Sequence, residues 1–421
     1  MKNIVASVGL VALGASGFQN AQAQSMSNPD SSKPWSVGLT LRGFYDDNVS
    51  SNVRPNAGEP SLITETFGYD ITPSLKLAWS TPQTSYSLGY AYGMKYYENR
   101  PTARADKTDN THSLDGSLEH RFTERVSASV SDSFVIGQEA DFLRAGNAYE
   151  TFHRASGNNV RNFGRAKVTT QLSSTFGATL GYENGYYNYD DSYMSSVLDR
   201  VDQTIPLEGL VQLAPETRLI TGYRFRDSDF NSGLHLEGTS FLSEVRNSRS
   251  HTGYVGVDHN FTPDLTGSIR GGAESADYYN DPNSSSELSP YAQASVRYTY
   301  AQDCSVEVGV TYDRTATDMF LQDAAGNLTL DAQTLVVYGS LTHKIASKVY
   351  GSLLAQIQNS DFNGGKWNNR SDLFFTAGVN FEYRINQHLS ANAGYDLDRL
   401  DSDTNRSFTR NRVYVGVKAC Y

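Results

Sequence analysis

The stretch 84-TSYSLGYAYGMKYY-97 decides the fold. Tyr86, Leu88, Tyr90 and Tyr92 take every second position, and between and after them stand Ser, Gly, Ala and Lys95. Successive side chains of an extended chain point to opposite faces, so this period of two predicts a strand with one apolar face and one polar or small-residue face. A surface helix would show a period of 3.6 instead. The alternation returns in 35-WSVGLTLRGFY-45, 175-TFGATLGYENGYY-187, 346-ASKVYGSLLAQIQ-358, 372-DLFFTAGVNFEYRI-385 and the last eleven residues. The 27 Tyr, 19 Phe and 35 Gly among 421 residues suit strands and turns in the same way.

The connections are as regular as the strands. Short turns stand at 80-STPQT-84, 122-FTERV-126, 172-LSST-175, 213-LAPET-217, 261-FTPDL-265, 301-AQDC-304, 344-KIASK-348 and 385-INQH-388. Longer polar stretches lie between them, near 49–62, 98–110, 138–158, 189–200, 229–248, 279–287, 317–331, 360–369 and 401–409. Eight turns and nine loops join eighteen strands, with all short connections at one end and both chain ends on that side. This is the layout of an all-β, antiparallel, up-and-down transmembrane barrel with short periplasmic turns and longer outside loops. A soluble β-sandwich rarely sustains such uniform hairpins over nearly 400 residues, and a parallel β-helix would need a shorter repeat.

In a bilayer the apolar face must point outward. By parity it carries Val37, Leu39 and Leu41; Leu219, Tyr223 and Phe225; Leu373, Phe375, Val379 and Phe381; and Val413, Val415 and Val417. The opposite face carries many charges of both signs, which a dry core could not hold and a wet lumen can. Two basic groups stand out there, Arg161, Arg165 and Lys167 on the sixth strand and Arg218, Arg224 and Arg226 on the ninth. They either steer anionic or sugar-like solutes or are compensated by the equally plentiful acids across the lumen. Two places break the parity: Asp132 shares the face of Val126, Val130 and Phe134, and Val336 and Tyr338 compete with Leu335 and Val337; a β-bulge is expected to reset each. On the same parity Val415→Arg should impair insertion by about 2–4 kcal/mol, and Gly416→Ser should be mild.

The chain opens MKNIVASVGLVALGASGFQNAQAQS, with a basic start, an apolar run too short to span and Ala21-Gln22-Ala23 as a cleavage pattern. The expected organisation is a signal peptide over 1–23, a polar periplasmic linker over 24–34 and one barrel domain over 35–421. Cleavage removes one basic residue, Lys2, and leaves 34 basic against 46 acidic, a balance that argues against nucleic acid as a partner. Cys304 and Cys420 are expected on opposite faces of separate strands, hence free.

Tyrosine pairs beside carboxylates recur at Tyr96-Tyr97, Tyr186-Tyr187 and Tyr278-Tyr279, each beside a long loop. One ring of each pair is expected outward in the aromatic girdle, the other inward at the rim, as packing or as a sugar contact. No histidine pair has metal-ligand spacing, the acidic loops lack a calcium-loop pattern, and no cofactor, metal site or enzyme centre is expected. About a dozen linker residues leave no room for the plug of a TonB-dependent receptor.

The last strand, VYVGVKACY, places Val413, Val415, Val417 and Ala419 at alternate positions before the terminal Tyr421. It resembles the C-terminal strand by which bacterial outer-membrane barrels are recognised by their assembly machinery. In length, strand number, strands such as 88-LGYAYG-93, 180-LGYENGYY-187 and 393-AGYDLD-398, and polar acidic loops, the chain is similar to the "putative β-barrel porin 2" group. That resemblance implies an outer-membrane location, contact with outer-membrane lipid, and a porin-like channel for polysaccharide or small polar solutes that works beside periplasmic export components. The alternative is a non-conducting surface scaffold or adhesin that displays its loops.

Overall fold

The computed structural model describes residues 33–49, 51, 64–100, 106–137, 158–237, 239–283 and 286–421. The expected signal peptide, the linker up to residue 32 and the expected loop at 138–158, save Asn158, lie outside these residues. Eighteen strands follow one another: β1 Trp35–Asp46, β2 Thr66–Ser80, β3 Thr84–Tyr97, β4 Thr108–Arg121, β5 Val126–Gly137, β6 Asn159–Gln171, β7 Phe176–Tyr189, β8 Arg200–Ala214, β9 Thr217–Phe230, β10 Ser248–Thr262, β11 Leu265–Asp277, β12 Glu287–Ala301, β13 Cys304–Ala316, β14 Asp331–Ala346, β15 Val349–Asn363, β16 Ser371–Arg384, β17 Leu389–Ser402 and β18 Phe408–Cys420. One short helix, α1 (Ser192–Leu198), lies between β7 and β8.

Each strand pairs antiparallel with its neighbours in sequence, and β1 pairs with β18 from Gly38 opposite Cys420 to Asp46 opposite Arg412. Val37 and Tyr421 exchange two backbone hydrogen bonds of 2.9 Å at the end of that seam. Closure leaves no open edge, which is the condition for a sheet in hydrocarbon.

Local chemistry makes the short turns. Thr123 Oγ1 accepts from the Arg125 and Val126 amides (3.1 and 3.0 Å), Ser173 Oγ from Thr175 and Phe176, Thr262 Oγ1 from Asp264 and Leu265, and Asn386 Oδ1 from His388. Each side chain caps the turn it sits in, so the hairpin closes without help from the rest of the barrel.

The barrel is apolar outside. Val415 is 65% exposed, and Val413, Val417, Phe381, Leu373, Val37 and Leu88 stand exposed with it, whereas Gln356, Gln358, Thr376, Asp398 and Arg410 are buried inside. A soluble protein would reverse these two sets. Aromatic contacts gather in two bands. Trp79–Tyr86, His259–Phe261, Tyr300–His343 and His388–Tyr421 lie at the turn end, and Tyr69–Tyr96, Tyr92–His112 and Phe225–His251 toward the loop end. Such girdles sit at the two water interfaces of a membrane barrel. Among the described residues no helix is long and apolar enough to cross a membrane.

Three expectations need correction. The register of β5 runs unbroken from Val126 to Gly137 against β6, with no bulge, so Asp132 does face outward beside Val130 and Phe134. On β14 the register is likewise continuous between Asp331 and Lys344; Leu335 and Val337 are exposed outside, while Val336 is buried inside with Tyr338 on the same parity. The register shifts that do occur, on β8, β10, β12 and β14, all lie beside turns. Gly416 is not a tolerant site either: a Cβ there would stand 2.4 Å from the Leu41 carbonyl oxygen and 2.6 Å from Arg42 Cγ, so Gly416→Ser collides with the closing seam. Cys304 and Cys420 stand free.

Candidate channel lining and outer cap

Four inward rings lie across glycines of the neighbouring strand. A Cβ on Gly222 would be 2.1 Å from Tyr254 Cζ, on Gly309 2.4 Å from Tyr338 Cζ, on Gly394 2.3 Å from Tyr414 Cζ, and on Gly68 2.4 Å from Phe44 Cζ. Each glycine is the direct cross-strand partner of its ring. The missing side chain lets the ring lie against the wall instead of projecting into the lumen. Tyr254, Tyr338 and Tyr414 stand on β10, β14 and β18, every fourth strand, each six to eight residues from the periplasmic end. Their hydroxyls donate to Glu208 Oε1 (2.9 Å), Glu307 Oε1 (3.3 Å) and Asn380 Oδ1 (3.2 Å).

Ion pairs fill the spaces between the rings. Arg224 donates to both carboxylate oxygens of Asp313 at 2.9 Å and to Glu274 at 2.8 Å, and its guanidinium lies 4.9 Å from the centre of the Tyr291 ring. Arg226 reaches Asp313 at 3.6 Å, and Arg218 meets Gln212 Oε1 at 3.4 Å. On the sixth strand Arg165 pairs with Glu183 at 3.2 Å, Lys167 is half-buried opposite Gly181, and Arg161 is opposite Tyr187. On the far wall Arg410 pairs with Asp46, and Arg412 with Asp396 and Asp398. Arginine beside carboxylate is therefore the prevailing arrangement, giving a lumen lined by paired charges rather than a bare basic ladder.

The tyrosine pairs divide by place. Tyr96 stacks on the exposed Tyr69 at 5.1 Å, while Tyr97 is buried inside against Phe44. Tyr186 is exposed, and Tyr187 lies under the Arg200 guanidinium at 3.9 Å. Tyr278 and Tyr279 lie beyond the end of β11, in the loop: Tyr278 is buried with its hydroxyl on Asp331, and Tyr279 reaches Asp229 at 3.0 Å.

Six outer loops join above this lining. In the first, Asp191 accepts the Met194 amide (2.9 Å) and so starts α1, whose Met194, Val197 and Leu198 share one buried face. They pack with Leu236 and Val245 from the loop between β9 and β10, and with Phe320 and Leu328 from the loop between β13 and β14. At the centre Arg246, fully buried, donates to the carbonyls of Val197 (2.7 Å), Thr317 and Leu330 (3.4 Å), with its guanidinium 4.6 Å from the Phe230 ring. Burial, and after it the charge of Arg200, lowers this guanidinium to about 10. Asn280 donates to the Glu244 carbonyl, Thr329 to that of Gly364, and Arg406 to Asp318 and Asp372. These contacts add the loops after β11, β15 and β17. Burial works against the charge of Arg406, but Asp318 and Asp372 raise it above the ordinary arginine range. Under the cap Arg226, Arg246, Tyr278, Arg314 and Asp331 line a partly open cavity of about 40 Å³, room for a few waters.

Among the described residues no group of three or more His, Cys, Asp or Glu is placed to hold a metal ion.

Residues 224–421 match a family model described as putative beta-barrel porin 2. The match runs from the second half of β9 to the last residue and takes in Arg224, the cap loops after β9 and all of the closing strand. The chain is a closed, eighteen-stranded antiparallel β-barrel of the outer-membrane type, and its second half is similar to that porin family. No curated protein matches it. Among solved structures this barrel is similar to OccAB4 of Acinetobacter baumannii (11% identity, 94% of this chain and 100% of that one, TM-score 0.43). It is also similar to the outer membrane protein opdK of Pseudomonas aeruginosa (11%, 92% and 99%, 0.43) and to a BenF-like porin of Pseudomonas fluorescens Pf-5 (11%, 92% and 99%, 0.44). At these TM-scores the likenesses carry no weight for solute or mechanism.

Sequence alternation placed the lumen charges on their face. Arg246 and the glycine seats lay beyond it: Arg246 sits in a polar loop without a pattern, and a glycine shows its use only once the register is known.

Proposed function

We propose that this porin-like barrel is a channel for sugar-containing solutes, with export of a surface polysaccharide as its role. The observation that carries the reading is the set of Tyr254, Tyr338 and Tyr414, each laid across a glycine with its hydroxyl held by a lumen acceptor. Sugars have C–H faces that stack on aromatic rings and hydroxyl rims that exchange hydrogen bonds with carboxylates and guanidinium groups. Three rings fixed against the wall at one depth, on every fourth strand, encircle the path with weak contacts that a sugar chain can slide past without being trapped. Neutral oligosaccharides should interrupt ionic current through the protein in a planar bilayer, and Tyr338→Ala should weaken that block by up to about tenfold, the worth of one aromatic contact. Current indifferent to oligosaccharides would count against sugar as the solute.

The six-loop cap favours a second reading, a barrel that displays a fixed outer surface and does not conduct. Loosening the cap separates the two. An exporter gains current, whereas a display barrel stays silent.

A further inference from the structure

Asp132 is the one charged side chain, among the described residues, that is exposed on the outer face with apolar outward residues both before and after it in its strand: Val130 on one side, Phe134 and Ile136 on the other. A carboxylate in the apolar band is unfavourable against lipid and calls for a partner. Its contact within the chain is the Asn162 amide, whose one nitrogen lies 3.0 Å from both carboxylate oxygens and leaves most of their accepting capacity open. Directly opposite Asp132 on the two neighbouring strands are Gly116 and Gly164, so the carboxylate lies in a shallow dent, its Oδ1 3.3 Å from where a Cβ of Gly164 would be. The polar row continues through Gly164 to Asn184 and Gln203 on β7 and β8.

We propose that the outer wall of β4–β6 is the contact face of a two-fold dimer, in which each copy's Asp132 carboxylate meets the other copy's Asn162 amide. The patch is self-complementary: acceptor and donor touch side by side, so a two-fold axis along the membrane normal between them brings each against its complement. The flanking glycines let the second wall come close, as small residues do between helices in membranes. A second copy fits better than lipid, whose acyl chains offer no donor.

The test uses the full chain in lipid bilayers, with Cys304→Ser and Cys420→Ser as background. Val130→Cys should give a disulfide-linked dimer on oxidation, and Leu353→Cys, on the opposite wall, should not. Asp132→Leu should remain a folded, heat-modifiable barrel, since it removes a charge from the lipid face, yet dissociate more readily by about tenfold or more; Asp132→Asn should keep the dimer. A single copy per particle for the unsubstituted protein, a Val130→Cys cross-link to a different protein, or an Asp132→Leu dimer as tight as the original would each overturn the proposal.

Discussion

Gly309 lacks a side chain where Tyr338 needs the space, and the same holds for Gly222 under Tyr254 and Gly394 under Tyr414. A methyl group at Gly309 would lift the ring off the wall into the lumen, because the neighbouring backbone has nowhere to move within a closed ladder. Gly309→Ala should therefore lower single-channel conductance while the barrel still folds, at a stability cost of about 1–3 kcal/mol for overpacking; an unchanged conductance would show that the ring does not border the path. At this scale the sequence was least legible. The tyrosines are legible as strand residues, but the sequence sets Tyr338 against Val337 for the outer face, because nothing in a linear chain shows that a tyrosine on one strand faces a glycine on the next. The loop tyrosines Tyr278 and Tyr279 resembled the strand-end pairs by composition alone. Tyr278 is in fact a buried contact to Asp331.

Single strands were far more legible. A residue's parity states its surroundings when one side is hydrocarbon and the other wet, so Val413, Val415 and Val417 could be placed outward without any coordinates. Turns such as 122-FTERV-126 were equally visible because Thr123 makes its own cap. Adjacent residues on β15 give a clean check: Leu353 is exposed outside, and Ser352 faces Asn380 and Thr342 on the inner parity. Leu353→Arg should cost about 2–4 kcal/mol of membrane stability if it lies near the bilayer midplane, and Ser352→Arg close to nothing. Unfolding in urea from lipid vesicles measures both, and equal costs would mean that the faces are misassigned. At Asp132 parity holds where a bulge is expected: the strand keeps its register and carries the carboxylate on its outer face.

For the whole molecule, the count of eight short turns and nine long loops carried the architecture, since it fixed strand number, closure and sidedness together. The cap was not legible, because it depends on Met194, Leu236 and Phe320 meeting from loops far apart in sequence, each loop polar enough to pass for solvated chain. Arg246 ties these loops through three carbonyls, and its removal leaves those acceptors buried and unpaired. The most direct test of a conducting barrel held shut at its outer end is single-channel recording of the unsubstituted protein beside Arg246→Ala. The account predicts small or rare openings for the first, and larger, frequent ones for the second. Silence from both in a properly folded, heat-modifiable barrel would contradict it.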